Sequence, residues 1–387
     1  MPLVTLPTKD GTLERYRPGP PGDFPQSQAG AFNRIAIAAA HVVADPLAEG
    51  DPWLDARLDW DSTIAYRRHL WDLGLGVAEA MDTAQRGMGL DWPTALELIR
   101  RSVEAAKDHR QASVFCGVGT DHLPPSPDLS LDRVIQAYEE QISAVEACGG
   151  RLIIMASRAL AAAAKGPEDY ATVYGRILGQ VREPVIIHWL GEMFDPALAG
   201  YWGNADHDQA MNACLAMLEE NASKVDGIKI SLLSKDKEIA MRRRLPAGVR
   251  MYSGDDFDYA ELIEGDAAGY SDALLGIFDA IAPAASQALN ALADGDSARF
   301  REILAPTVPL SRHIFQAPTR FYKTGIVFLA WLNGRQDHFT MVGGQESTRS
   351  TLHLAELFRL ADRAGLLRDP DMAAARMTTA MAIRGVS

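Results

Sequence analysis

The 387-residue chain predicts an α/β protein of the (β/α)₈ TIM-barrel class with a C-terminal helical extension, and three observations carry that expectation. Eight short apolar runs recur along it. They are spaced by about 33 residues, close to the length of one βαβ unit. The stretches between them repeat apolar residues at i, i+3 and i+4, the pattern of helices that cover one face of a parallel sheet. Eight such units over ~250 residues is the size of one barrel.

Residues 1–30 contain "RPGPPGDFPQSQAG" and read as an irregular N-terminal arm, because Pro and Gly punctuate regular structure. The barrel is expected over 31–278. Its strands are expected in "RIAIAAAHVV" (34–43), "GVAEAMDT" (76–83), "ASVFCGVG" (112–119), "RLIIMAS" (151–157), "PVIIHWL" (184–190), "VDGIKIS" (225–231), "VRMYSGDD" (249–256) and "AAGYSDA" (267–273). The segments 92–109, 130–150 and 208–225 are expected helices, with Asp91 and Ser130 ahead of two starts and Pro93 in a first turn. After residue 278 the strand rhythm stops, and 279–387 reads as helices joined by Gly and Pro breaks.

Composition narrows the function. A formal charge of -13, with no basic stripe to offset it, points away from nucleic acid. No apolar run is long enough to span a bilayer, and the first residues lack the basic start and apolar stretch of a secretory leader, so a cytoplasmic location is expected. Cys116, Cys148 and Cys214 are odd in number and far apart, which suits buried thiols rather than disulfides. The expected partner is a small molecule.

In such a barrel the reactive side chains close the strands at their C-terminal ends. That places His41, Asp82, Gln85, Arg86, His122, His188, Trp189, Glu192, Lys229, Ser253, Asp255, Asp256 and Ser271 as candidates around one cavity. Lys229 is the most informative of them. Alternation along "DGIKIS" turns Ile228 and Ile230 toward the helices and Gly227, Lys229 and Ser231 toward the barrel axis. Desolvation there disfavours the charged form, and the free amine can condense with a carbonyl to a Schiff base. A strand-end lysine that merely pairs with an inward carboxylate is the alternative. His188 suits proton transfer, and Asp255 is the expected carboxylate support. Trp189 offers either a flat wall or simple packing. In "YSGDDF" one carboxylate is expected in the site and the other on the following helix. No HxH or HExxH spacing is present, so a divalent metal held by His41, His122, His188 and carboxylates stands as the alternative to a cofactor-free site.

These pieces resemble the dihydrodipicolinate synthase and N-acetylneuraminate lyase superfamily. "VDGIKIS" looks like its G-(I/V)-K strand, "YSGDD" like its S-G-x-D segment, "GDAAGYSDAL" like the next strand with Gly269 and Ser271, and "FYKTGIVFLAWL" like its lysine-bearing C-terminal helix. The resemblance implies a Schiff base on Lys229, substrate binding around it, and a homodimer or homotetramer. The departures imply a changed substrate. His188 in H-W-L-G stands where the family has the tyrosine of Y-N-x-P, "AQRGM" (84–88) where it has G-T-T-G-E, and the family arginine after Y-N-x-P is absent. The implied function is a class I aldolase or lyase acting on a keto sugar or related polyhydroxylated keto compound, in carbohydrate metabolism. A metal-dependent sugar lyase or isomerase, and a non-catalytic ligand-binding protein, are the alternatives.

Overall fold

The protein is described from a computed structural model, over residues 3–25 and 32–386. A hairpin of β1 (Val4–Pro7) and β2 (Leu13–Tyr16) precedes eight parallel strands: β3 (Ala36–Ala39), β4 (Gly76–Glu79), β5 (Val114–Val118), β6 (Arg151–Ile154), β7 (Val185–Leu190), β8 (Val225–Ser231), β9 (Arg250–Ser253) and β10 (Asp272–Leu275). They close in the order β10-β3-β4-β5-β6-β7-β8-β9, the expected TIM barrel. Helices α1 (Trp60–Asp72), α2 (Trp92–Lys107), α3 (Leu131–Ala147), α4 (Arg158–Ala163), α5 (Pro167–Gln180), α6 (His207–Glu220), α7 (Lys235–Arg242) and α8 (Tyr259–Glu264) lie between strands. After β10 come α9 (Ile277–Ala280), α10 (Ala282–Ala293), α11 (Ser297–Leu304), α12 (Thr307–Ile314), α13 (Tyr322–Leu332), α14 (Thr351–Arg363) and α15 (Pro370–Ile383). Among the described residues no helix is long and apolar enough to cross a membrane.

Local chemistry places these starts. The Asp91 carboxylate accepts from Thr94 N and the Ser130 hydroxyl from Arg133 N, the two caps read from the sequence, and Pro93 sits in the first turn of α2. Strand parity then sorts side chains between two cores. Ile37, Ala39, Ala78, Phe115, Ile153, Ile186, Tyr252 and Leu274 fill the barrel interior. Ala38, Val77, Cys116, Ile154, Ile187, Ile228 and Ile230 pack outward against the helices. Cys116, Cys148 and Cys214 are free thiols, and the first and last are buried.

Three expectations change. The arm is not irregular where it is described: Val4 and Leu6 alternate into the core, and the hairpin is tied to α14 by Glu14, whose carboxylate accepts from Arg359 Nε at 2.6 Å. The expected arm–barrel boundary at residues 30–31 lies outside the described residues. The last strand begins at Asp272 rather than 267, because 266–269 form a tight turn with Gly269 at φ +140°. The ring also extends past residue 278. Helix α10 completes it beside α1, where Ser286 Oγ donates to Leu73 O at 2.7 Å.

Buried polar groups pin helices to strands. Arg67 of α1 donates from Nε and Nη2 to the Glu79 carboxylate at 2.9 and 2.8 Å, and Ser102 of α2 joins the same group. Glu238 of α7 receives Ser253 Oγ at 3.1 Å and Ser271 Oγ at 2.7 Å, and burial raises its carboxyl to about 8. The folded state therefore holds a proton that the unfolded chain releases, so this stabilisation is full below the ordinary carboxylate range and is lost as pH rises through about 8. Glu238→Gln should remove that loss. On going from about pH 6 to about pH 9 the melting temperature of the parent should fall by about 5 °C more than that of the variant, measured by thermal unfolding.

Candidate active site

The amine at the head of the barrel is placed by β8. Lys229 follows the inward Gly227 and is in register with His188 of β7 and Tyr252 of β9. The space a side chain at 227 would take holds the Tyr252 ring, 2.6 Å from where its Cβ would stand, so an aromatic ring fills the interior one inward position before Lys229. Above β9, a Cβ on Gly254 would lie 2.8 Å from Lys229 Cε and 2.4 Å from both Ile230 O and Ser231 Oγ. Glycine at 254 is what lets the lysine stem pass. Lys229 is only 7% exposed, and burial lowers its pKa below the ordinary lysine value while the Asp256 and Asp82 carboxylates oppose the shift.

His188 stands one strand away, its Nε2 3.2 Å from Ser231 Oγ, while the buried Nδ1 has no partner among the described residues. Burial, with the Lys229 charge acting in the same direction, holds the imidazole neutral. Asp256 accepts from Ile277 N at 2.8 Å, and burial lifts its carboxyl to about 7 against the pull of Lys229. Here the two adjacent carboxylates exchange their expected parts. Asp255 turns its Oδ1 to Phe257 N and Asp258 N at 2.8 and 3.0 Å and shapes the approach to α8, leaving Asp256 as the carboxylate toward the lysine.

A cavity of about 90 Å³ opens at this end, with Asp82, Arg86, Thr120, Arg158, His188 and Asp195 in its wall. Arg86 is committed to the protein. Its Nε and Nη2 donate to Asp121 at 2.8 and 2.7 Å, Nη1 to Ala80 O and Gly117 O, and Nη2 also to Gln141 Oε1. All five N–H groups are used, so none is left for a substrate anion. Arg158 differs: its Nε donates to Asp195 at 2.5 Å, and Nη1 lies 3.3 Å from where a Cβ on Gly87 would be. Behind this wall the extension places Lys323 of α13, 4% exposed, which donates to Arg320 O at 3.0 Å and lies 3.3 Å from Met88 Sδ. Burial lowers it to about 8, with Asp82 opposing. Next to it Tyr322 OH is 2.8 Å from Thr83 Oγ1.

A single family model matches residues 4–386, that of a protein of unknown function, DUF993. The chain belongs to this family. No curated protein matches it. Among solved structures the DUF993 chain is similar to dihydrodipicolinate synthase from Aquifex aeolicus, at 13% identity over 86% of this chain and 99% of that one, with a TM-score of 0.64. It is similar to YagE, an E. coli K12 prophage protein of the dihydrodipicolinic acid synthase family in complex with pyruvate, at 14% identity over 92% of this chain and 100% of that one, TM-score 0.62. The chloride-inhibited, pyruvate-complexed dihydrodipicolinate synthase from Acinetobacter baumannii matches at 15% identity over 86% and 99%, TM-score 0.62. At these identities the likeness is one of fold, and it covers barrel and C-terminal helices together.

Several candidates of the DUF993 chain stand away from the lysine. Ser253 and Ser271 both turn to Glu238: Ser253 is on the outward face of its strand, and Ser271 lies just before the start of β10. Trp189 faces outward, its ring 6.3 Å from Trp202 and 6.1 Å from His207, so packing is its role. Glu192 accepts from His207 Nε2 at 3.2 Å. His122 receives Gln141 Nε2 at 2.7 Å, and Gln85 donates to Val342 O at 2.7 Å. His41 donates from Nδ1 to Asp279 at 2.8 Å. Among the described residues no group of three or more His, Cys, Asp or Glu is arranged to hold a metal ion. Reading strand ends alone missed Asp195, which lies in a loop, and Lys323, although a lone lysine in "YKTGIVFLAWL", where every residue is buried, was the visible signal. Gly254→Ala should cost about 1–3 kcal/mol of stability through overpacking against Lys229 and the β8 backbone, measured by urea unfolding.

Proposed function

We propose that the protein is a lyase of the class I aldolase type, acting through Lys229 on a keto sugar or related polyhydroxylated keto compound. The observation that carries this reading is a nearly dry lysine at the C-terminal end of a barrel strand, beside a neutral histidine. Because burial lowers the Lys229 pKa, more of the amine is free at a given pH than for a lysine in water. Its lone pair attacks the substrate carbonyl to form a carbinolamine, and loss of water leaves a protonated imine. That imine accepts the electron pair of the bond broken one carbon further out, giving an enamine and releasing a carbonyl product; a proton then returns to the enamine carbon. His188, neutral and in the cavity wall, takes the proton from the substrate hydroxyl as the bond breaks. Asp256 balances the charge of the imine. The cavity wall of Asp82, Thr120, Arg158 and Asp195 supplies acceptors and donors of the kind that sugar hydroxyls require.

Incubation with a panel of keto sugars and keto acids, followed by borohydride, should leave a reduced adduct on Lys229 visible by peptide mass spectrometry. A substrate that turns over without trapping on Lys229 would sink the proposal. His188→Gln should lower kcat by about 10²–10⁴-fold while the borohydride adduct still forms, which separates proton transfer from imine formation.

A further inference from the structure

The charged side chains in the wall of the mouth cavity are Asp82, Asp121 and Asp195 against Arg86 and Arg158. All but one of them pair off. Arg86 Nη2 donates to Asp121 at 2.7 Å, and Arg158 Nε donates to Asp195 at 2.5 Å. His188 in the same wall is neutral. Asp82 is left over: among the described residues its carboxylate accepts no hydrogen bond and joins no ion pair. Other aspartates at the start of a turn or helix are occupied. The carboxylates of Asp59 and Asp91 accept from Ser62 N and Thr94 N, and that of Asp255 from Phe257 N and Asp258 N.

The single 3₁₀ turn that carries Asp82, Asp82–Ala84, is both strained and held. Ala80 and Gln85, neither of them glycine, stand in the left-handed region at φ +54° and +64°. Arg86 Nη1 donates to Ala80 O at 3.1 Å, Gln85 Nε2 donates to Val342 O at 2.7 Å, and Thr83 Oγ1 lies 2.8 Å from Tyr322 OH. Non-glycine residues persist in that region only where their surroundings impose it, and they gather at ligand-binding sites. Here the surroundings fix the turn and leave the Asp82 carboxylate in the cavity wall without a partner. Its charge reaches the amine, since Asp82 opposes the lowering of Lys229 by burial. Arg158 is 42% exposed, so solvent screens what its pairing with Asp195 leaves of its charge. The wall that a bound ketone meets is net negative.

We propose that Asp82 determines which ketones reach Lys229: it accepts a hydrogen bond from a hydroxyl on the carbon next to the carbonyl, and it repels a carboxylate in that place. This rests on the Schiff-base reading and narrows it to uncharged α-hydroxy ketones, as against α-keto acids. A hydroxyl gains a charge-assisted bond there, whereas a carboxylate brings a second negative charge and no proton to share.

Hydroxyacetone and pyruvate test this, because both are methyl ketones and they differ only in a hydroxymethyl group against a carboxylate. In ligand-observed NMR titration of the full-length Lys229→Met protein, where no imine forms, hydroxyacetone should bind about tenfold or more tightly than pyruvate. Adding Asp82→Asn, which keeps the side-chain volume and breaks no hydrogen bond within the chain, should erase that difference. Adding Asp82→Glu instead, which keeps the charge, should still reject pyruvate. In the parent protein, Lys229 Nζ bonds to the ketone carbon, the ketone oxygen leaves as water, and borohydride reduces the imine to a secondary amine. Hydroxyacetone should leave that adduct on Lys229. Hydroxyacetone that fails to bind, pyruvate bound as tightly, or a preference that survives Asp82→Asn would each overturn the role of Asp82. A preference that disappears in Asp82→Asn, with no adduct on Lys229 in the parent, would support that role and refute the Schiff base, so the two failures are distinguishable.

Discussion

A lysine ammonium on the inner face of a closed barrel has lost most of its water, and the residues around Lys229 are arranged by that loss. The Tyr252 ring beneath it and the missing side chain at Gly254 let the stem lie in a dry channel. With hydration gone, the charged form survives only as far as Asp256 and Asp82 support it. The same burial acts on the neighbours in opposite senses, raising Asp256 and lowering His188. Burial thus moves an amine, a carboxyl and an imidazole of one region all toward their neutral forms.

Such a site needs a rigid wall. The barrel obtains it by placing buried polar anchors outside the strands rather than inside them: Glu79 with Arg67 and Ser102, and Glu238 with Ser253 and Ser271. Helix and strand are locked by hydrogen bonds that no sideways slip could preserve, while the interior stays apolar up to the lysine. The extension then closes over the strand ends, and α13 brings Tyr322 and Lys323 against the loop after β4. The hairpin at the other end of the sequence returns to α14, so both termini brace the helices that reach the site.

The barrel was legible because its code is local. Parity along "DGIKIS" turned Lys229 inward, and the inward and outward cores obey the same period in the other strands. Residues beyond a strand end were legible only in part, because there the period of two stops and a side chain's direction depends on the turn. Asp255 and Asp256 are adjacent and chemically identical, and two backbone N–H groups decide which of them faces the lysine. Arg86 was a candidate for the cavity, but Asp121, Gln141 and the carbonyls of Ala80 and Gly117 fill its donors, and all but Ala80 come from distant segments. Ser271 was misplaced because a tight turn of small residues resembled the start of a strand.

By itself the sequence determined the fold class, seven of the eight strand positions and the inward lysine, since apolar periodicity and alternation are properties of neighbours along the chain. It also marked His188 as the polar residue on the adjoining strand. Tertiary structure alone decided which of the two adjacent carboxylates lies toward the lysine and that Asp195, from a loop, joins the mouth. Those outcomes depend on where hydrogen-bond partners and like charges from distant segments meet. Low dielectric makes such meetings decisive, and nothing in the local pattern records them.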